Sequence, residues 1–382
     1  MRYLFPISPW NQQRQFEKPV WVYPAHLAMY ATYLRNWGHE VKWGEFQKLS
    51  KPGFFDTYDS TRTTNAVNDM IDNTFNNHKN YDRVIENDFQ INVPFDQLPF
   101  PDRTFTDAKN KRWLSYGNYK FSPGTHFMSS NLCWWAGAKG CVFCIDSKKI
   151  MEGEKRGVRT TDHVMAEIED CVSLGFKEMF DDAGTIPIND WLEDLCHKMI
   201  KSGLNRKIVL GCNLKPIKQQ FGLMREAGFR FILVGVESAN QKTIDKIQKG
   251  QRCEKVVENL KAMSEAGLEP HATFMLSCPD EDHADNMRTV RLAQYLLKKG
   301  YAKTAQASVY SPPRTQPDPN SPGHKYIPMI YDAYKSPTFW IRKLSDIRRL
   351  EDVTYLLRGA RLVAEEKWRK TLHAFSTRKS TP

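Results

Sequence analysis

The chain has 382 residues, room for two or three ordinary domains or for one large domain with an appendage. Apolar residues make up 41% and charged residues 26%, and no apolar run approaches the ~18 residues that a membrane helix needs. A collagen, a coiled coil, a membrane protein and a fully disordered chain are excluded, and the N-terminal MRYLFPISPWNQQRQ lacks the apolar stretch of a signal peptide. Lys and Arg number 55 against 44 Asp and Glu, a net charge of +11. That charge is spread along the chain with a mild C-terminal enrichment, which reads as a solvated basic face open to an acidic protein partner.

Residues 1–91 form the first expected unit, a small α/β domain. RYLFPI and EVKWG read as strands around an apolar helix, HLAMYATYLRNWG, that stops at Gly38. Residues 51–80 are polar, with a weak helix around 66–75, and YDRVIE is a further strand candidate. Residues 92–125, rich in Pro, Gly and aromatics, read as a linker lying on the next domain.

From residue 126 to 312 a repeating pattern takes over. An amphipathic helix ends at a glycine and a β-rich run follows, at Gly175 before KEMF, Gly203 before KIVL, Gly228 before FRFILV, Gly267 before PHATFML and Gly300 before KTAQASV. HFMSS near 126–130 supplies a sixth strand ahead of the set. Strands alternating with helices imply a parallel sheet with right-handed crossovers, and six such units make a partial, TIM-like (β/α)6 barrel. Ligands in such folds sit at the carboxyl ends of the strands. Those ends carry Cys133 onward, Asp181-Asp182, Gly211-Cys212-Asn213, Glu237-Ser238, Ser277-Cys278 and Tyr310-Ser311. Residues 313–382 form a Pro-rich segment and a helical extension, with Trp340, Leu344, Ile347, Leu350 and Tyr355 expected to be buried.

Of eight cysteines, three fall within twelve residues: Cys133, Cys141 and Cys144. In a reducing cytoplasm, the expected compartment, clustered thiols read as metal ligands or redox groups. Three thiolates can hold three irons of a [4Fe-4S] cubane and leave the fourth iron open. Zinc is the rival, because Cys-x2-Cys is also a zinc knuckle; His126 would then be the fourth ligand. Cys212 and Cys278 read as small buried apolar residues.

Cys141-Val142-Phe143-Cys144, with an aromatic before the last cysteine, resembles the motif of the radical S-adenosylmethionine (SAM) enzymes. LVGVESANQKTIDKIQKGQ, the run to LSCPDED and MFDDAGT are similar to further segments of that family. VYPAHLAMYATYLRNWGHEV, LPFPDRTF and YKSPTFWIRKL resemble its class with an N-terminal cobalamin-binding domain, which includes hopanoid- and porphyrin-modifying enzymes. The resemblance implies a cluster on Cys133, Cys141 and Cys144 that chelates SAM and cleaves it reductively. The resulting 5′-deoxyadenosyl radical would abstract hydrogen from a small-molecule or biosynthetic-intermediate substrate. It implies Phe143 near the adenine, Glu237 on the ribose hydroxyls and Asp182 near the SAM pocket, with Ser277 and Ser311 as further candidates. An acidic flavodoxin or ferredoxin would donate the electron.

Two departures stand out. The family spacing is Cys-x3-Cys-x2-Cys, and the first gap here is four residues longer, with Gly137 and Gly140 available for turns. The N-terminal unit is also short: a doubly wound domain of about five strands, at ≈ 30 or more residues per βαβ unit, exceeds it, so cobalamin binding is expected to be lost. Two other classes stay open: an iron–sulfur electron carrier that does not cleave SAM, and a zinc-stabilised basic RNA-binding protein.

Overall fold

The structure, a computed structural model, describes residues 1–7, 25–45, 83–84, 93–104, 119–137, 140–215, 217, 220–315 and 317–357. Two parallel sheets organise them. The first has three strands in the order β2-β1-β3, with β1 at Arg2–Ile7, β2 at Glu40–Glu45 and β3 at Arg83–Val84. Helix α1 (Ala25–Asn36) is the crossover from β1 to β2, and Gly38 leaves it with φ +79°. The helix expected around 66–75 lies outside the described residues.

The second sheet has six strands in sequential order, all parallel: β4 (Gly124–Phe127), β5 (Glu178–Asp181), β6 (Val209–Asn213), β7 (Phe229–Glu237), β8 (Glu269–Leu276) and β9 (Thr304–Val309). Sequential parallel order with helical crossovers is the open, partial α/β barrel expected from the glycine-stop pattern. All five stopping glycines have positive φ, from 72° at Gly203 to 97° at Gly228. The first strand starts two residues earlier than HFMSS suggests; beyond Phe127 the chain only touches Val158 through Ser130.

The helices in chain order are α2 (Ile145–Met151), α3 (Thr161–Ser173), α4 (Asp190–Ser202), α5 (Phe221–Glu226), α6 (Gln241–Lys246), α7 (Cys253–Glu265) and α8 (His283–Lys299). Local chemistry sets where they begin. Thr160 caps α3 by accepting from the His163 N–H, and Asp282 with Asp285 forms a capping box on α8. Val164 and Ile168 of α3, and Val256, Leu260 and Met263 of α7, turn inward. They pack on the outer sheet face with Phe127, Met179, Ile232, Val234 and Phe274, all buried. Cys212 and Cys278 are buried too, as expected of small apolar residues.

Part of the 92–125 linker lies on this core: Phe95 and Leu98 are buried in it beside Met29 and Tyr30 of α1. Past the barrel come α9 (Ile327–Tyr331) and α10 (Pro337–Ser345), followed by helical residues from 350 to 357. The burial expected in this tail is corrected. Trp340 is 42% exposed, Leu344 60% and Leu350 74%, and Ile347 and Tyr355 are only half-buried. Tyr326, Ile330, Ala333 and Phe339 are the residues that pack instead. Helix α10 meets the body through Phe339, edge-on to Tyr334, so most of its apolar residues face outward.

Candidate functional site

The barrel lumen is layered. At the amino ends of the strands, Arg230 pairs with Glu178 and, at 2.6 Å, with Glu269. Lys120 reaches Glu269 at 3.0 Å and also pairs with Asp352 from the tail. Burial opposes ionisation of Glu269, but Arg230 and Lys120 outweigh it and hold the carboxyl at about 2. Above this floor, rings contact one another across the strands: His126 to Phe180, Phe180 to Phe231 and Phe231 to His271, with centroids 5.5–5.8 Å apart. Above the rings, at the carboxyl ends, the lining turns polar and opens into cavities.

One cavity, of about 320 Å³, is lined by Phe143, Glu237, Thr273, Gln306, Ser308 and Ser311 among others. The other, of about 270 Å³, shares Glu237 and Thr273 and adds Asn213, Lys215, Gly235 and Lys249. Glu237 therefore stands between the two. The register of β7 on β8 breaks between Gly235 and Glu237, and Glu237 itself has φ +64°, a conformation a non-glycine residue holds only where its surroundings enforce it. Lys249 Nζ lies 2.6 Å from Glu237 Oε1 and 5.5 Å over the Phe143 ring. A Cβ at Gly235 would fall on both partners of that ion pair, which explains the glycine. Burial opposes the charge on Lys249, but Glu237 and then Cys141 hold its ammonium above the usual range.

The cysteine loop joins β4 to α2. The Cys133 N–H donates to Asp146 Oδ2 at 2.8 Å, two residues beyond Cys144, so the loop is closed at its base despite its long first gap. The loop turns at Gly140 with φ +67°, and the Val142 N–H ties it to Ile247 O at the end of α6. Burial pushes the Cys144 thiol up to about 11, and Asp146 adds to this; backbone N–H groups of Asp146 and Ser147, which donate to its sulfur, oppose the shift. Burial also raises Cys141, against the pull of Lys249 and Lys215. Burial, partly offset by Cys141 and reinforced by Lys249, lowers Lys215 to about 8.

This donor set fits an iron–sulfur cubane. Three thiols share a loop with N–H donors, two cationic side chains are at hand to offset an anionic cluster, and the indole N–H of Trp134, next to Cys133, is buried with no partner. Among the described residues no three His, Cys, Asp or Glu side chains converge as ligands of one ion. A cubane needs no such convergence, because each thiolate binds its own iron. His126, the fourth ligand a zinc site would use, lies on β4 with Nδ1 3.9 Å from Asp182 Oδ1.

Asp182 keeps 45% of its side-chain surface open and follows the fully buried Asp181. Burial raises its carboxyl from 3.8 to about 7, with Asp181 and Asp146 adding like charge. Its neighbour Asp181 has a structural task, accepting from the Ser129 N–H and hydroxyl and from the Ala183 N–H. Because the folded pKa of Asp182 lies above the unfolded one, its ionisation destabilises the fold as pH rises from about 4 to about 7. Asp182→Asn should therefore be more stable than the parent near ~pH 8, by about 1 kcal/mol after discounting for solvent access. The gain should vanish below about pH 4, where both forms are neutral. Urea melts at the two pH values check this, and a variant less stable than the parent at the higher pH contradicts it.

Sequence reasoning thus placed Phe143, Glu237 and Ser311 on one cavity, and Asp182 at a neighbouring strand end. Ser277 lies elsewhere: it lines neither cavity, and its Oγ faces Gly323. Lys215, Lys249, Asp146 and Gln306 were missed as site residues, and Asn213 was named only as part of a strand end. Only Lys249 left a trace, in the Lys-Gly turn of the QKGQ segment.

An open six-stranded α/β barrel with a three-cysteine loop over its mouth defines the class of protein. Residues 131–293 match the model of the Radical SAM superfamily. This chain carries a radical SAM domain, as the Cys141–Cys144 motif implied. It is 27% identical over 199 residues to an anaerobic magnesium-protoporphyrin IX monomethyl ester cyclase of Cereibacter sphaeroides, a match covering 49% of this chain and 32% of the relative. It is 24% identical over 232 residues to an uncharacterised methyltransferase of Pyrococcus horikoshii, covering 59% and 46%. The chain thus spans less than half the length of either relative. The solved structure of the cobalamin-dependent SAM radical enzyme OxsB with aqua-cobalamin bound is similar in fold, with a TM-score of 0.55 and 11% identity, covering 89% of this chain and 56% of that one. Among the described residues no helix is long and apolar enough to cross a membrane.

Proposed function

We propose that the chain is a radical SAM enzyme, with a [4Fe-4S] cluster on Cys133, Cys141 and Cys144 and SAM in the cavities that Glu237 divides. The observation that carries this reading is the closure of the cysteine loop by Cys133 and Asp146 beside a cavity lined by Phe143 and Glu237. When bound, the cluster and SAM would supply one-electron chemistry, reductive cleavage of the sulfonium C–S bond and hydrogen-atom abstraction from the substrate. The chain's residues bind and orient. Glu237 accepts hydrogen bonds from the ribose hydroxyls, Lys249 fixes the carboxylate, Phe143 lies against the adenine and Ser311 offers a hydroxyl. Asp182 presents a polar group at the neighbouring strand end. The substrate is a small molecule entering at the barrel mouth, and an acidic flavodoxin or ferredoxin donates the electron to the basic chain in a reducing cytoplasm. Whether the abstraction leads to methyl transfer, ring formation or oxidation is a matter of substrate chemistry.

The test is anaerobic iron and sulfide analysis, followed by assay for 5′-deoxyadenosine with dithionite and SAM. A cluster without deoxyadenosine formation supports the electron-carrier alternative, and zinc without iron supports the third class. Glu237→Ala should weaken SAM binding by one to two decades, since hydrogen bonds to a charged group contribute about 1.5–3 kcal/mol, while iron content stays at the parent level. Glu237→Gln, which leaves Lys249 a polar neighbour, should lose less. Calorimetric titration of the reconstituted protein measures both, and unchanged affinity in Glu237→Ala contradicts the ribose role.

Cobalamin binding is the finer question about the cofactors, and it is tested directly. The similar OxsB structure holds aqua-cobalamin, but a likeness at 11% identity bears on the fold alone. Incubation with hydroxocobalamin, desalting and an absorbance spectrum should show no retained corrin. Stoichiometric cobalamin would overturn this and favour methyl transfer.

A further inference from the structure

The lengthened gap between Cys133 and Cys141 needs a physical account, because seven loop residues over a barrel mouth are an entropic burden unless something holds them. The structure holds Trp135. Its indole N–H donates to Gln248 O at 3.0 Å. Its ring lies against the backbone of Gly250, so closely that a Cβ there would fall within the ring; Gly250 has φ +62°. The Lys215 ammonium sits 3.4 Å from the centroid of the Trp135 ring and 5.5 Å from that of Trp134, which meets Trp135 edge-on. The same ammonium donates to Lys249 O at 2.7 Å. Lys215 follows β6 and Lys249 follows α6, so the loop between two of the cysteines is clasped to two other strand-end segments. The Lys215 side chain is largely buried, which strengthens a cation–π contact relative to one in water.

We propose that Trp135 and Lys215 form a cation–π clasp that positions the lengthened cysteine loop, and that the Lys215 ammonium thereby places a positive charge that raises the reduction potential of the bound cluster. This rests on the cluster reading above. Net charge near an iron–sulfur cluster is one of the terms that set its potential, and a cation favours the reduced, more negative form. Lys215 is thus a positioning residue that acts on the loop and on the electron affinity of the cluster. The clasp also links the loop to Lys249, the partner of Glu237, through the Lys249 carbonyl.

The test uses the full chain, reconstituted anaerobically, in the parent and in Lys215→Met, Lys215→Arg, Trp135→Ala and Trp135→Phe. Two quantities are read: the rate of iron release to a chelator and the midpoint potential from a redox titration followed by electron paramagnetic resonance. Lys215→Met should lower the midpoint potential, because it keeps the apolar stem and removes the charge. Lys215→Arg keeps charge and stacking and should restore the parent potential. Trp135→Ala should release iron about tenfold faster, the effect of losing roughly 1.4 kcal/mol of clasp. Trp135→Phe keeps a ring for Lys215 and should fall between Trp135→Ala and the parent. If Trp135→Ala does not fold, the Lys215 pair and Trp135→Phe still decide the matter. Parent-like potential in Lys215→Met together with parent-like iron release in the Trp135 variants overturns the clasp while leaving the cluster reading intact. Absence of iron and sulfide from the parent overturns both.

Discussion

Replacing Cys133, Cys141 and Cys144 together by Ala should abolish iron binding and the brown absorbance near about 400 nm that thiolate-to-iron charge transfer gives. The folded chain should persist. Cys141 is buried, but Ala fills most of a thiol's volume, and the closure of the loop at Cys133 runs through its backbone N–H, which the substitution keeps. Cys133→Ala alone should be as damaging to the cluster as the triple change, since a site with two thiolates leaves two irons without protein ligands. Iron and sulfide content on anaerobically reconstituted protein measures this. Full iron in the triple variant contradicts the cluster assignment; an intact cluster in Cys133→Ala alone shifts the third ligand to another residue. Because burial raises the Cys144 thiol to about 11, cluster assembly must release protons and should slow as the pH is lowered.

Glu167→Ala should lower stability by about 3–5 kcal/mol, a large share of the roughly 5–15 kcal/mol that holds an ordinary domain. Glu167 on α3 has no exposed side-chain surface and lies between two guanidinium groups that have none either, Arg103 at 2.5 Å and Arg159 at 2.5 Å. Arg159 also donates to Met128 O, and Arg103 to His126 O, so the triad braces the chain where it leaves β4 for the cysteine loop. Burial alone would raise the Glu167 carboxyl, but Arg159 and Arg103 outweigh it and hold it below the usual carboxylate range. The folded pKa is depressed, so this stabilisation is present above the unfolded pKa and is lost as pH falls through the folded one. Removing the carboxylate leaves two buried cations facing each other, which is worse than losing a pair. Glu167→Gln keeps an acceptor and should cost less. Urea or thermal melts check the order, and a parent-like melting temperature in Glu167→Ala would sink the argument.

The fold was legible because it is built from local signals. A glycine that ends a helix with positive φ leaves its mark wherever the helix packs, and all five did so. The cysteines and Glu237 were legible because both sit at a strand end within recognisable segments. Lys215 and Gln306 were not, because each matters only through groups far along the chain or across the lumen; Asp146 was not, because the folded path of the cysteine loop is what brings it to the Cys133 N–H. Lys215 meets Trp135 eighty residues away in sequence, and no spacing rule encodes that. The tail failed for another reason: an amphipathic period says that one face is apolar but not that a surface waits to cover it. Trp340 and Leu344 lie on a helix whose buried apolar anchor is Phe339, with Arg342 donating to Lys299 O. Ser277 lies apart from Glu237 and Ser311: its φ is +53° and its N–H donates to Asn286 Oδ1.

The ionic floor makes the barrel a cup. Arg230, Glu178, Glu269 and Lys120 are packed across the amino ends of the strands, opposite the end where the cysteine loop and Glu237 stand. Asp352, reaching back from the tail to Lys120, makes the closed bottom of the cup depend on a segment outside the barrel.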